Sequence, residues 1–385
     1  MELLKIKLAL PLIASAFSVL LAAIAIQVWL PAPVEHLQWE LRAAATLLAF
    51  PGFVACTLLG LPFFSLDGQA FSAMVTAATY FVIFRRAGAG RPVLEPAASI
   101  RLSRRRFLAG GSAVAAAVAV GGTGVIDRNV LQVTRHNLEL PGLSSELSGL
   151  RIAMIADLHL GEHNSADFVA EAVRQVNELK PDLVVIPGDF IDSSYGYFAE
   201  AARVLRKLEA PLGALGTLGN HDHWEGADRG GRQVLEQAGI RLIDNQRRFL
   251  GRDRRWTEDV ESAALAIAGV GDLWAGTVDL EQALAGIPES VPRVLLSHNP
   301  DVAEEPQALA CHHRVDVMLS GHTHGGQIAF PVVGALVVPS RYGQKYASGW
   351  VSGPRWRVYV TRGVGTTGIP VRIGVPPEIT LFTLA

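Results

Sequence analysis

The sequence predicts an α/β (α+β) fold in which β-sheets pack together with helices outside, set behind N-terminal transmembrane helices. Three observations carry this expectation. Apolar residues make up 50% of the 385 residues and mean hydropathy is +0.28. That is above an ordinary soluble protein, and the long apolar runs all lie at the front of the chain. From about residue 150, short β runs alternate with helical stretches and then give way to mostly strands, the pattern of sheets covered by helices. Finally, five of the apolar runs stop abruptly at a cluster of His, Asp or Asn, most of them beside a Gly.

The front of the chain divides by charge and hydropathy. Residues 1–84 form a membrane domain of two or three transmembrane helices: 8–30, with Trp29 at the interface, 43–64, and a shorter run at 70–84. Each long run matches the roughly 30 Å of a hydrocarbon core at 1.5 Å per residue. Residues 85–106 carry Arg85, Arg86, Arg91, Arg101, Arg104, Arg105 and Arg106 against a single acid, Glu95, which holds this segment in the cytoplasm. Residues 103–108 (Ser-Arg-Arg-Arg-Phe-Leu) resemble a twin-arginine export signal, so the apolar run 107–126 is either export-signal-like or a fourth transmembrane helix. Both readings place residues 127–385 on the extracytoplasmic side of the cytoplasmic membrane. A formal net charge of −2 excludes the basic balance of a nucleic-acid binder, and Cys56 and Cys311 alone support neither a disulfide framework nor a thiolate zinc site.

Beyond residue 150 each element has a local cause. Strands are expected at 151–156, 182–186, 215–218, 241–243, 265–268, 293–296, 315–319, 336–338, 357–361 and 378–384, where β-branched and aliphatic residues cluster. Ser165 suits the N-cap of an amphipathic helix running to Leu179, which Pro181 stops. A helix is expected at 197–208, and another at 233–238 with Gly239 as a left-handed C-cap.

The chemistry lies where the strands stop. The clusters are Asp157-Leu158-His159, Gly188-Asp189-Phe190-Ile191-Asp192, Gly219-Asn220-His221-Asp222, Ser297-His298-Asn299 and Gly321-His322-Thr323-His324. Residues two apart beyond a strand end face the same side, so both histidines of the last cluster can reach one centre. Every donor is an oxygen or a nitrogen, which suits Mn, Fe or Zn. Two such ions share a bridging carboxylate when they clamp a phosphate, and Asp189 is the natural bridge.

Taken together and in this order, the five clusters resemble the motif series of the calcineurin-like metallophosphoesterase superfamily over residues 150–385. The resemblance implies two packed mixed β-sheets flanked by helices, an α-β-β-α sandwich, and two divalent metal ions (Mn, Fe or Zn) as cofactors. It assigns Asp157, His159, Asp189 and His324 to one ion, and Asp189, Asn220, His298 and His322 to the other. It makes His221 the residue facing the phosphoryl group or leaving oxygen, with Asp192 orienting it. Asp222 has a weaker claim to a role at the site, against which a surface or loop-capping role stands equally. The stretch from Gly321 to Gln327, followed by Pro339-Ser340 and residues 362–365 (Arg-Gly-Val-Gly), resembles a membrane-associated and exported phosphodiesterase subgroup, one branch of which cleaves the pyrophosphate of a UDP-linked acylated glucosamine. The implied function is a membrane-anchored dinuclear-metal phosphoesterase cleaving a phosphodiester or pyrophosphate, with lipid and cell-envelope phosphoesters as candidate substrates. A non-catalytic membrane scaffold on the same fold is the alternative.

Three further motifs compete for attention. Residues 363–368 (Gly-Val-Gly-Thr-Thr-Gly) match a dinucleotide fingerprint, but Ile369-Pro370 follows where a helix should open, so a tight loop at the rim of the site is expected. Cys311-His312-His313 reads as a loop. Tyr342, Tyr346 and Trp350 either line a substrate groove or pack a closing hairpin.

Overall fold

The structure is a computed structural model that describes residues 127–330, 334–335 and 337–385. The expected membrane domain 1–84, the arginine-rich segment 85–106 and the run 107–126 lie outside the described residues. Among the described residues no helix is long and apolar enough to cross a membrane.

Two mixed sheets form the body. The first has the order β1-β15-β2-β3-β4-β5, built from Gln132–Leu138 (β1), Arg151–Met154 (β2), Leu183–Pro187 (β3), Ala214–Thr217 (β4), Ile240–Leu242 (β5) and Glu378–Leu384 (β15). The second has the order β13-β14-β10-β9-β8-β6-β7, built from Gln246–Gly251 (β6), Trp256–Thr257 (β7), Ala263–Gly269 (β8), Arg293–Leu296 (β9), Val317–Ser320 (β10), Gly349–Ser352 (β13) and Arg357–Val360 (β14). A two-residue pair, Ala329–Phe330 (β11) with Gly334–Ala335 (β12), stands apart from both. In the first sheet β2, β3, β4 and β5 run parallel. In the second, β8, β9, β10 and β14 do.

The period of two in the strands builds the layers. Ile152 and Met154 of β2, Leu183 and Val185 of β3, and Leu265 and Ile267 of β8 enter the core between the sheets. Their alternate neighbours turn outward: Ala153, Val184 and Ile186 pack under helices of the first sheet, and Ala266 and Ala268 under those of the second. Both faces are apolar because both are covered, as expected for parallel strands. Helices Ala166–Glu178 (α1), Tyr197–Leu205 (α2) and Gly231–Gln237 (α4) cover the first sheet; Leu280–Leu284 (α5) and Pro306–Ala310 (α6) cover the second. A short helix, Asn220–Trp224 (α3), follows β4. Each buried Val, Leu or Ile contributes about 1.5–3 kcal/mol. A charge placed at Val185, fully buried between the sheets, would reverse that gain and add an unpaired ion.

Local signals behaved as their chemistry requires. Ser165 Oγ accepts from Phe168 N at α1, and Gly239 closes α4 with φ +93°. Two expectations moved. The helix expected to run to Leu208 ends at Leu205, because Lys207 and Leu208 close the chain with tight backbone bonds to Val204 and Leu205. The strand expected at 336–338 is not formed at Val337 or Val338, and the local pairing lies earlier, at Gly334–Ala335.

Candidate metal centre

Five parallel strands deliver the site. β2 ends before Asp157 and His159, β3 before Asp189 and Asp192, β4 before Asn220 and His221, β9 before His298, and β10 before His322 and His324. The two sheets meet at this edge, where Asp157 Oδ1 accepts from His322 N at 2.8 Å; within the second sheet, Gly321 N donates to His298 O at 3.0 Å. Asp157, His159, Asp189, Asn220, His298, His322 and His324 are all buried.

To turn so many polar side chains inward, the backbone adopts an unusual conformation. Asp157, His159, Asp189, His322 and His324 have φ between 43° and 71°, a region that costs non-glycine residues about 1–3 kcal/mol each. The strain is concentrated on five of the seven expected ligands. Adjoining glycines make room. A Cβ on Gly188, itself at φ +85°, would come within 2.4 Å of His298 Nδ1. A Cβ on Gly363 would come within 2.6 Å of Asp157 Oδ2. The 363–368 segment is therefore a wall of the centre, as its missing helix implied, and Thr367 Oγ1 reaches Asp192 Oδ1 at 3.4 Å.

The donor atoms converge. Asp189 Oδ2 lies 3.2 Å from His159 Nε2 and 3.2 Å from His298 Nε2. On one side His159 Nε2 is 3.0 Å from His324 Nε2. On the other, His298 Nε2 is 3.1 Å from Asn220 Oδ1 and 3.1 Å from His322 Nδ1. Among the described residues, three groups have potential ligand atoms within 4.8 Å of one another: Asp157–His159–His324, His159–Asp189–His221 and Asp189–His298–His322. The orientation of the imidazoles is fixed from behind. His298 Nδ1 bonds Pro187 O at 3.0 Å and His159 Nδ1 bonds Asp192 Oδ1 at 3.1 Å, so both rings point Nε2 inward.

These residues fit divalent cations on their own geometry. Among the described residues Asp157 Oδ2 is buried without a hydrogen-bond partner, and a buried polar atom left unpaired costs about 1–3 kcal/mol. Imidazole nitrogens forced to about 3 Å of one another are repulsive as paired acceptors and favourable around a cation. The charges agree. Burial pushes Asp157 up to about 6, partly offset by His298. Asp189 is held well below the usual carboxylate range although burial opposes it, because His298, His221 and His159 surround it. Burial, with neighbouring imidazoles, pushes His322 and His324 well down, so those two rings keep a lone pair for a metal.

His221 and Asp222 follow on α3. His221 is 7% exposed, donates its backbone N–H to Asp189 Oδ1 at 3.0 Å, and bonds Asp192 O through Nδ1 at 2.9 Å. A carbonyl accepts only, so Nδ1 carries the proton and Nε2 is the titrating atom. The Asp192 carboxylate is farther from His221 Nδ1, at 3.7 Å. Its closer partner is His159, at 3.1 Å, and the Asp192 backbone carbonyl is the nearer Asp192 group to His221. Asp222 is no surface residue. It is fully buried, and its carboxylate accepts four backbone N–H groups: Asp189, Phe190 and Gly219 at 2.9 Å and Ile191 at 3.2 Å. Burial and the Asp189 charge push it up to about 7 against the pull of those donors.

Other motifs resolve simply. Cys311 is buried and His313 pairs with Glu281 at 2.8 Å, away from the clusters above. Trp350 lies in the β13–β14 hairpin, edge-on to Tyr359 at 5.1 Å, and Tyr346 is fully buried. Both pack, while Tyr342 is 40% exposed. Sequence reasoning overlooked the loop after β8. There Asp272 Oδ2 accepts from Trp274 N and Ala275 N at 2.7 Å, and the Trp274 ring stands 4.3 Å from that of His322. The signal existed: β8 also ends in Gly269 and then Gly271-Asp272, the same strand-then-glycine-then-acid pattern.

Comparison with known proteins agrees with this geometry. A family model described as calcineurin-like phosphoesterase matches residues 150–326. The uncharacterized metallophosphoesterase YkuE of Bacillus subtilis is 32% identical over 74% of this chain and 98% of its own length. Phosphodiesterase YaeI of Escherichia coli is 30% identical over 74% of this chain and 99% of its own. The UDP-2,3-diacylglucosamine pyrophosphatase LpxG of Chlamydia trachomatis is 29% identical over 67% and 90% respectively.

Proposed function

The chain belongs to the calcineurin-like phosphoesterase family, and on that premise we propose that it is a membrane-anchored phosphodiesterase or pyrophosphatase acting on a lipid-linked or other cell-envelope phosphoester outside the cytoplasm. It is a metal-dependent phosphoric ester hydrolase whose cofactors are two divalent metal ions. The observation that carries the reading is the single carboxylate oxygen, Asp189 Oδ2, set 3.2 Å from an imidazole on either side.

Asp157, His159, Asp189 and His324 would hold one ion, and Asp189, Asn220, His298 and His322 the other. Bound ions supply Lewis-acid polarisation of the phosphoryl group and activation of a water. The protein's own residues do the rest. The loops after β2, β3 and β10 exclude bulk water from the buried ligands. His221, held by the Asp192 carbonyl, presents Nε2 to the phosphoryl group or the leaving oxygen; burial lowers its pKa below the ordinary imidazole value, so a proton taken up at Nε2 is readily given to the leaving oxygen. The apolar runs within 1–84, the arginines of 85–106 and the run 107–126 support the membrane anchor and the outward orientation. A substrate on a lipid is supported by that anchor and by the activity named for the Chlamydia relative.

The test is to purify the full chain in detergent and measure its metal content. It is then assayed on a phosphomonoester, a soluble diester and a lipid-linked pyrophosphate, each with and without chelator. Metal-dependent hydrolysis of the diester or pyrophosphate is expected; hydrolysis of the monoester alone would contradict the reading.

A further inference from the structure

The point where the chain enters its catalytic domain lies at the mouth of the metal centre. Topology requires it. β1 runs parallel to β15 with Gln132 opposite Glu378, and β15 runs antiparallel to β2 with Thr380 opposite Met154. The first residue of β1 is thus at the edge from which Asp157 emerges. Side-chain contacts give the same place independently. Arg128 donates to Pro370 O at 2.8 Å and to His163 O at 3.1 Å. His163 is four residues past His159, and Pro370 ends the loop whose Gly363 and Thr367 touch Asp157 and Asp192.

The same edge gathers exposed apolar side chains. Of six large hydrophobic residues exposed among the described residues, four belong here. Val130 is two residues from Arg128, Ile369 precedes Pro370, Tyr195 is three past Asp192, and Trp274 stands against His322. Their exposures run from 39% to 49%. Leu309 is a contrast: its carbonyl accepts from Arg355 in the turn before β14, at the other end of the strands. Apolar and aromatic side chains clustered on one rim mark an interaction surface. Aromatic rings with one wet edge suit the lipid headgroup layer.

We propose that the catalytic face docks on the lipid bilayer, with Val130, Tyr195, Trp274 and Ile369 seated in the headgroup layer and the metal centre opening onto the phosphoesters of that surface. The occupant follows from the chain itself. The apolar run 107–126 ends two residues before Arg128, and two residues span at most roughly 7 Å. On the membrane-anchored reading the chain leaves the bilayer within two residues of Arg128, which favours this rim over the far end of the sheets as the face the bilayer meets. The inference rests on the membrane-anchored reading above. It adds that substrate reaches the centre from the plane of the membrane.

The test uses the full chain reconstituted in vesicles of phosphatidylethanolamine and phosphatidylglycerol, with Cys56→Ser and Cys311→Ser. A fluorophore on Ile369→Cys should be quenched by lipids spin-labelled near the headgroup, and one on Leu309→Cys should not. No quenching at 369, or equal quenching at both, would overturn the proposal, whether a second copy or a protein partner then covers the face. In the cysteine-bearing chain, Val130→Asp should lower hydrolysis of a bilayer-embedded diester by roughly tenfold. Hydrolysis of soluble bis(4-nitrophenyl) phosphate should stay unchanged, and parallel loss on both substrates would count against docking. If the soluble diester is not hydrolysed at all, the phosphoesterase reading fails, while the quenching pair still decides the docking face.

Discussion

Asp222 Oδ2 accepts the backbone N–H of Asp189 at 2.9 Å, so a residue that holds no metal in our assignment fixes the one we assign to both ions. The same carboxylate takes the N–H groups of Phe190, Ile191 and Gly219, tying the loop after β3 to the start of α3. Asp222→Ala leaves four buried donors unpaired. It should destabilise the domain by on the order of 3 kcal/mol and weaken metal binding about 10–100-fold. Thermal unfolding of the chelated and loaded protein reads both effects. A variant with unchanged Tm and full metal content would refute the clamp.

Asp192, expected from the sequence to orient His221, has its side chain closer to His159. Its carboxylate is 3.1 Å from His159 Nδ1 and 3.7 Å from His221 Nδ1. Asp192→Asn should therefore weaken the ion held by His159 by roughly tenfold, measured by chelator competition, and restore most activity at saturating metal. Activity that stays lost at saturating metal would return the residue to the service of His221.

His221 is expected to act on the phosphoryl group without holding metal. His221→Ala should cut kcat by ~10²–10⁴ with metal content intact by elemental analysis. Loss of metal in this variant, or an unaltered rate, would show the assignment to be wrong.

Export can be tested through Arg104 and Arg105. If they form a twin-arginine signal, replacing both with Lys blocks passage of residues 127–385, whereas a simple positive flank keeps its charge and export proceeds. Protease accessibility in spheroplasts distinguishes these outcomes. A domain shielded in the unmodified protein would contradict the outward orientation.

Much of the centre was legible because metal ligation demands particular atoms at particular chain positions. His322 and His324 are two apart beyond a strand, and the bounds of β9 and β15 follow directly from their aliphatic runs. What escaped had weaker local signals. β1 has the mixed sequence Gln-Val-Thr-Arg-His-Asn-Leu and is a strand because β15 pairs with it along its whole length. β6 carries two arginines and is held by β8. Asp222 could not be read as a clamp because its four partners are backbone groups, three of them on a loop more than thirty residues away. Left-handed backbone at Asp157 and Asp189 is likewise not signalled, because Asp takes that conformation more readily than most non-glycine residues but still in only a minority of cases.

The central claim is that Asp189 joins two metal ions, and metal stoichiometry tests it most directly. Purified wild-type protein should carry two divalent ions per chain, and His159→Ala should retain one of them. Asp189→Asn should lower the affinity of both. Two ions bound at wild-type affinity in Asp189→Asn would contradict the account.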